Sequence, residues 1–446
     1  MTQSVIDPPA LRRPSWGVRL LVAVLLLAGV AWLIRYFTTP VQLASSDLET
    51  IISPAFLPES EVDRLIAAYE GRIQDHTDAL DYRTLGFLYL EKGRLSGDPA
   101  RYQAAHTALL RARDLFPTDP TTRIGLASAL YSLHDFSPAK EEASFVFEQT
   151  GQAGALAVRA DANLALGSYE EGAADLERLG EEVGELPAVL VREAEWGRVR
   201  GDADQAWERA QAAAELTSTS PNGRLRAWYQ AFAAQMAWYL GRYEEGRALV
   251  DQALEADPTS REGMIVSARL LASDGQLEEA IGRYEQVTVV YPDPGLLSEL
   301  AALYRFAGNE AAAAETSELL GVVATLAESQ GVYDRSLALH LAAIDPPQAV
   351  EIARHDLERR QDVGAWDALS WALFHDGDLE GARAASREAL SLDTLDARLW
   401  FHGGIIALAA GETTEAESFL EKALQLSPQF FPADAQEASE ALHGLG

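Results

Sequence analysis

Glycine recurs along this chain at a spacing close to 34 residues. The stretch LGRYEEGRALVDQALEADP (240–258) places a glycine first, then small and apolar residues at helical intervals, and then a proline. The same order of residue types appears in LGSYEEGAADLERLG, DGQLEEAIGRYEQVTVVYP, DGDLEGARAASREALSLD and AGETTEAESFLEKALQLSP. The turn glycines Gly167, Gly201, Gly241, Gly275, Gly308, Gly377 and Gly411 are separated by 34, 40, 34, 33, 69 and 34 residues. Such a period is typical of a repeat protein in which each unit buries its apolar face against the next.

Each residue type in the unit has a packing explanation. Gly241 suits a turn with positive φ between two helices, and Gly246 suits a crossing point where a larger side chain would push the helices apart. The positions equivalent to Gly246 hold Ala280, Ala382 and Ala416. Tyr243 and Ala253 are expected to face neighbouring helices, and Pro258 to end the second helix. The spacing therefore predicts stacked helix pairs and requires no catalytic role.

The recurring unit resembles the tetratricopeptide repeat (TPR) family, whose members stack antiparallel helix pairs into a right-handed superhelix. The best-matching unit contains Trp400, Gly404, Gly411, Ala416, Leu420, Ala423 and Pro428. Other units start near Trp366, Leu297 and Leu85, and weaker ones centre on Phe136, Gly201 and Ile344. The unit starting near Leu85 carries an insertion, RLSGDPA (94–100), expected to lengthen its internal turn, and the unit at Ile344 lacks the turn glycine. The resemblance implies an all-α solenoid of about nine to ten repeats over residues 59–430, closed by a capping helix over 431–446.

The amino-terminal region differs from the repeats. Fifteen uninterrupted apolar residues run from Leu20 to Ile34, and flanking aromatic residues extend the segment to 16–37. A helix of that length reaches about 33 Å, enough to cross a hydrocarbon core of about 30 Å. The arginines favour its amino side, which predicts residues 1–15 as a cytoplasmic tail, 38–58 as a linker, and the repeats as extracytoplasmic. The alternative is a cleaved signal peptide, for which VQLASS (41–46) offers a poor cleavage site.

Composition narrows the possible functions. The chain has no cysteine, which excludes thiolate catalysis and cysteine-based metal sites. Residues 41–446 carry 32 basic and 67 acidic residues, a net charge of −35, which should repel nucleic acid and anionic lipid. The eight histidines form no His-Glu-x-x-His pair, and no glycine-rich loop is followed by Gly-Lys-Ser/Thr. We therefore predict a chain without enzymatic activity, cofactor or metal, and without affinity for nucleic acid.

The TPR resemblance also implies a binding surface, because the first helix of each unit lines the concave face in that family. Repeat alignment assigns seven residues to a partner groove: Trp228, Gln235, Trp238, Arg269, Arg305, Trp371 and Phe401. Aromatic and arginine side chains make strong anchors, and in an acidic body they would suit an extended peptide of acidic character. The competing interpretation is that these residues only pack between units.

These observations predict a membrane-tethered, all-helical scaffold that binds protein or peptide partners and organises an envelope complex. The alternative is a ligand-sensing or enzyme-accessory subunit whose activity resides in a partner. A purely mechanical spacer would have a groove without exposed anchors.

Overall fold

A computed structural model describes residues 58–329 and 335–445 of the 446-residue chain. The described residues form 22 α-helices and no strand. Helices α1 to α8 are Glu59–Asp75, Ala79–Ser96, Pro99–Leu115, Pro120–Ser132, Phe136–Thr150, Ala153–Ala165, Tyr169–Val183 and Pro187–Val199. Helices α9 to α15 are Ala203–Thr217, Gly223–Tyr239, Tyr243–Ala256, Arg261–Ser273, Leu277–Val290, Pro294–Phe306 and Glu310–Ser329. Helices α16 to α22 are Arg335–Leu341, Pro346–Arg359, Val363–Asp376, Leu379–Ala389, Ala397–Ala409, Thr413–Leu426 and Pro432–Leu445.

Consecutive helices pack as ten hairpins, from α2/α3 to α20/α21, with α1 before them and α22 after them. Each hairpin also contacts the next one, as expected for a helical solenoid. The all-α repeat architecture expected from the sequence is therefore confirmed. Helix α22 packs on α20 and α21, and it also contacts α14 in the middle of the array.

The turn glycines adopt the backbone conformation that the sequence predicts. All seven lie in the left-handed region, with φ between 65° at Gly241 and 88° at Gly377. The small residues are buried where the helices cross: Ala280, Ala382 and Ala416 are buried completely. A Cβ on Gly246 would lie 3.3 Å from the Leu270 side chain. Both features of the repeat are thus explained by packing.

One local detail of the sequence interpretation is wrong. The insertion 94–100 does not lengthen a turn, because residues 94–96 extend α2 and residues 99–100 begin α3. Gly97, at φ 67°, and Asp98, which caps α3, make the connection alone. The unit around Ile344 turns without a glycine, as its sequence indicates, because residues 342–345 connect α16 to α17.

The second half of the array closes onto the first at three successive hairpin turns. Gly167 meets Gln361 and Gly201 meets Asp393, each in a loop between two later hairpins, and Gly241 meets Leu426 at the end of α21. A Cβ added to these glycines would lie 2.8, 2.4 and 2.9 Å from the facing carbonyl oxygen. Backbone hydrogen bonds of 2.9 Å accompany the first two contacts, from Gln361 N to Ala165 O and from Leu395 N to Arg198 O. We call this set of contacts the closure.

A side-chain network completes the closure at its third contact. The Tyr243 hydroxyl lies 2.8 Å from Ser427 Oγ and accepts a hydrogen bond from Gln429 N at 3.0 Å. Ser273 Oγ donates to the Gln429 carbonyl at 2.7 Å and accepts from Trp238 Nε1 at 3.0 Å. Tyr243 therefore contacts a loop 184 residues further along the chain, well beyond the neighbouring helices it was expected to face.

An apolar core also spans the closure. Trp238 and Leu270, from α10 and α12, belong to the same buried cluster as Trp400, Phe401 and Phe430, from α20 and the loop after α21. Burial of apolar surface is the dominant favourable contribution to folding. The two halves of the array are therefore held together by a shared core as well as by hydrogen bonds.

The predicted membrane segment cannot be assessed in this fold. The tail 1–15, the span 16–37 and the linker 38–58 lie outside the described residues, apart from Pro58. Within residues 58–329 and 335–445, no helix is both long enough and apolar enough to cross a bilayer.

Candidate binding cavity on the inner face of the array

The inner face of the array holds a cavity of about 680 Å³. Its walls come from the first helices of five hairpins, α2, α4, α6, α8 and α10, and from the start of α7. Residues 362–364 and Asp396, which flank the loops of the closure, line it from the opposite side together with Arg335 and Leu399. Cavities of this volume are typical of sites for small molecules or for a short peptide segment.

One wall of the cavity is aromatic. The Trp228 ring stacks on Phe232 with 5.9 Å between centroids, and its edge meets Tyr229 at 4.9 Å. Tyr131 and Tyr169 line the cavity as well. Burial raises the pKa of both tyrosine hydroxyls, so they are neutral over the physiological range. Large rings with few rotatable bonds offer contact area at low entropic cost.

Charged side chains line the rest of the cavity as ion pairs. Arg192 contacts Asp161 at 2.8 Å, and Arg335 contacts Asp362 at 2.7 Å. Burial lowers the pKa of Arg192, but Asp161 more than offsets that effect and the net shift is upward. A ligand in the cavity therefore meets fixed, charge-assisted hydrogen-bonding groups in a protein that is strongly acidic elsewhere.

Arg198 belongs to a third set of charges at the edge of the cavity. Its guanidinium lies 2.8 Å from Glu195 and 3.8 Å from Asp396, and it sits 4.7 Å from the centre of the Tyr239 ring. Because Asp396 follows the closure loop, this ion pair links the cavity wall to the closure.

Three hydroxyl groups of the cavity wall are engaged within the fold. Ser128 and Ser132 donate to the carbonyl oxygens of Ile124 and Ser128 on their own helix, and the Tyr169 hydroxyl accepts from Val363 N at 2.9 Å. These bonds favour a binding role for the cavity over nucleophilic chemistry. Among residues 58–329 and 335–445, no group of three or more histidine, aspartate or glutamate side chains could hold a metal ion.

The seven residues assigned to a groove do not lie on one surface. Trp228 lines the cavity. Trp238 and Phe401 are 3% and 1% exposed and belong to the shared core. Trp371 stacks on the buried His402 at 4.1 Å, and Arg305 is exposed and donates to Ser317 at 3.2 Å.

Arg269 and Gln235 form a buried polar network beside the core. Arg269 contacts Glu299 at 2.6 Å and donates to Gln235 Oε1 at 2.6 Å. The Tyr284 hydroxyl donates to the same Glu299 carboxylate at 2.6 Å. Burial raises the pKa of Glu299, but Arg269 and the hydrogen bonds outweigh it, and the net shift is downward. Buried ion pairs of this kind are costly to break, because removing one partner leaves an uncompensated charge.

Sequence reasoning missed most of the cavity. Tyr131, Asp161, Arg192 and Phe232 are all on first helices, so their inward position follows from the repeat pattern. What distinguishes them from Trp238 is that no later segment covers them, and no local signal in the sequence indicates where the closure falls.

The family model described as "Tetratricopeptide repeat" matches residues 233–296 and 368–429. In these two stretches the chain is similar to tetratricopeptide repeats. The matched stretches include α11 to α13 and α19 to α21, and the remaining hairpins of the array have the same helix–turn–helix construction.

Several solved structures resemble the helical array at low sequence identity. The human IFIT1 dimer with PPP-AAAA is 16% identical, with a TM-score of 0.44, over 83% of this chain and 95% of that chain. The APC/C hetero-tetramer Cut9–Hcn1 is 14% identical, with a TM-score of 0.35, over 87% and 96%. Yeast Tom70 is 13% identical, with a TM-score of 0.34, over 82% and 95%. No curated protein matches the sequence.

Proposed function

We propose that this TPR protein is a non-enzymatic scaffold and that its inner cavity receives a segment of a protein or peptide partner. The observation that carries the proposal is the aromatic and ion-paired lining of the cavity at the centre of five successive first helices. Aromatic residues and arginine are the side chains that most often dominate protein–protein binding energy. The proposal replaces a groove along the whole concave face by one cavity, because Trp238 and Phe401 of the expected groove are buried in the core shared across the closure.

We also propose that the segment 16–37 tethers the array to a membrane, with the repeats on the extracytoplasmic side and a role in organising an envelope complex. The support is the length, apolarity and flanking arginines of that segment in the sequence. A single cysteine at the exposed Val289 tests the topology, since the natural chain has none. Labelling of Val289→Cys by an impermeant maleimide in intact cells is expected, and labelling only after lysis would contradict the orientation.

A second candidate function is ligand sensing. The cavity is enclosed from both halves of the array, and about 680 Å³ suits a small molecule as well as a peptide segment. In this case the chain would report the ligand to a partner that carries the activity. Native mass spectrometry of the purified chain distinguishes the two, because a sensor retains a small molecule of defined mass.

Site-specific photo-crosslinking tests the cavity directly. A photoreactive phenylalanine analogue replaces Phe232 in the cavity wall, and the matched control replaces Phe306, which is exposed on α14 outside the cavity. A partner adduct at position 232 that is absent at 306, and that is lost when Trp228→Ala is added, supports the proposal. Adducts of equal yield at both positions, in variants with unchanged helix content, would refute it.

A further inference from the structure

A second, smaller cleft lies between α19, α20 and α21, away from the inner cavity. It has a volume of about 230 Å³, and its apolar lining includes Leu390, Trp400, Ile406 and Phe419. The Trp400 and Phe419 rings meet edge to face at 5.2 Å. The volume corresponds to about seven or eight water molecules, at about 30 Å³ each, which limits an occupant to one small organic group.

Gly403 lets the side chains around this cleft approach the α20 backbone closely. A Cβ at Gly403 would lie 2.8 Å from Leu390 Cδ1, 3.1 Å from Ser386 Oγ and 3.3 Å from Phe419 Cδ2. Gly403 is inside a helix at an ordinary helical φ, so no turn requires glycine there. The glycine is therefore explained by the close packing of the three helices around the cleft.

One face of α19 supplies polar groups to the cleft. Arg383, Ser386, Arg387 and Leu390 occupy positions i, i+3, i+4 and i+7, which brings them to the same side of the helix. Ser386 is only 6% exposed, yet its hydroxyl forms no hydrogen bond with any described residue. Ser386 lines the cleft, so its hydroxyl can bond to a ligand there.

The charge available to a ligand comes from Arg387. Arg383 is engaged in an ion pair with Glu412. Glu415 also lines the cleft, and a hydrogen bond to Glu412 raises its pKa, whereas Arg383 and Arg387 act in the opposite direction. Arg387 is exposed and forms no ion pair within residues 58–329 and 335–445. The guanidinium group of Arg387 is therefore available to a ligand, beside the Ser386 hydroxyl, which has no hydrogen bond with a described residue.

We infer that the cleft binds a small free carboxylate that carries an aryl or branched alkyl group. The carboxylate accepts hydrogen bonds from Arg387 and Ser386, and the apolar group lies against Trp400 and Phe419. Planar carboxylates match the guanidinium fork, and charge-assisted hydrogen bonds are about twice as strong as neutral ones. The site is independent of the inner cavity, so the failure of one proposal leaves the other intact.

Titration of the full chain with phenylacetate tests this inference, with neutral phenylacetamide as the matched ligand. Isothermal calorimetry near neutral pH should show saturable phenylacetate binding, and binding of the amide about tenfold weaker or more. Equal affinity for acid and amide would overturn the role of Arg387. Absence of saturation at about 20 mM phenylacetate would overturn the site itself.

Variants of the exposed arginines locate the binding. Arg387→Gln should weaken phenylacetate binding about tenfold, and Ser386→Ala should weaken it a few-fold. The control is Arg354→Gln, since Arg354 on α17 is likewise exposed and makes no ion pair with a described residue. Because Arg387 is on the surface, the far-ultraviolet circular dichroism of its variant should be unchanged. Equal affinity in the Arg387→Gln and Arg354→Gln variants would refute the assignment.

A capped peptide separates a free acid from a peptide-linked one. Acetyl-Phe-Glu-amide presents the same aromatic group and a carboxylate within a peptide. Phenylacetate binding with no competition from this peptide supports a free acid as the natural occupant. Tighter binding of the peptide than of phenylacetate would overturn the free acid in favour of a protein segment.

Discussion

Substituting alanine at two turn glycines separates the closure from the local turn. Gly201 and Gly275 have nearly the same backbone conformation, with φ of 78° and 75°. An alanine in this left-handed region costs about 1–2 kcal/mol at either site. A Cβ at Gly275 meets nothing within 4 Å, whereas one at Gly201 lies 2.4 Å from the Asp393 carbonyl oxygen. Gly275→Ala therefore measures the turn alone, and Gly201→Ala measures the turn plus the closure.

The additional cost at Gly201 follows from overpacking. Cβ atoms do not approach a carbonyl oxygen to 2.4 Å, so the loop containing Asp393 must move. Forced repacking of this kind costs about 1–3 kcal/mol. Gly201→Ala is expected to lose about 2–5 kcal/mol in total, against about 1–2 kcal/mol for Gly275→Ala.

Hydrogen exchange read by mass spectrometry localises the effect, which a global melting curve cannot do when repeats unfold separately. The reporter is the amide of Leu395, which donates to the Arg198 carbonyl across the closure at 2.9 Å. Gly201→Ala should accelerate exchange in the peptide that contains residues 390–396. Gly275→Ala should accelerate exchange only around its own turn. Equal protection of residues 390–396 in both variants would show that the closure is not a stabilising contact.

Three further substitutions test the packing and the buried charges. Ala416→Leu should lower the free energy of unfolding by about 1–3 kcal/mol, because the larger side chain overpacks the helix crossing. The urea midpoint should fall while the slope of the transition stays the same, and an unchanged midpoint would contradict the assignment of the helix crossing. Arg269→Met should cost about 3–5 kcal/mol by leaving Glu299 buried without its partner, and adding Glu299→Leu should restore much of that loss in a double-mutant cycle. Burial, reinforced by Arg305, lowers the pKa of His340 from 6.5 to about 4. The unfolded chain therefore takes up a proton at this histidine at a higher pH than the folded chain does. The free energy of unfolding should consequently fall by about 1–2 kcal/mol between pH 7 and about pH 5. His340→Gln should remove that part of the pH dependence, measured by urea unfolding at both pH values.

The parts of the fold that the sequence predicts are local ones. The positive φ of Gly241 and the burial of Ala416 both follow from contacts within one helix pair, and the period of about 34 residues repeats those contacts. Residue type, spacing and packing all act over fewer than 40 residues in such a unit. The effect of the insertion 94–100 was mispredicted because the same inserted residues can lengthen either a turn or the two helices beside it.

The closure could not be predicted because it depends on small rotations added over about six hairpins. Gly167 and Gly308 have the same turn function and the same backbone region, but a Cβ would meet the Gln361 carbonyl oxygen at 2.8 Å at the first and nothing within 4 Å at the second. Each inter-hairpin angle is set by the side chains packed between two units. The sequence of one unit therefore does not indicate where the closure forms.

The candidate site was also predictable only in part: the sequence indicates which residues lie on one helix, but not which of them the closure covers. The sequence assigns Trp228 and Trp238, which both lie on α10, to one groove. The structure leaves Trp228 in the cavity wall and buries Trp238 against Phe431 at 5.3 Å, because the end of α21 and the following loop cover only one end of α10. Whether an inward aromatic residue can bind a partner is therefore decided by a segment almost 200 residues away.

The closure and the cavity are physically coupled, since the same loops take part in both. Val363 N donates a 2.9 Å hydrogen bond to the Tyr169 hydroxyl across the closure, and both residues line the cavity. Asp396 lines the cavity and follows the loop that meets Gly201. A ligand that binds only the closed array must stabilise it, by RT ln(1 + [L]/Kd) for a single site. Gly201→Ala should therefore weaken binding in the cavity even though Gly201 does not line it, whereas Gly275→Ala should leave binding unchanged. Crosslinking yield at position 232 measures this difference, and equal yields in the two variants would show that the cavity keeps its shape without the closure.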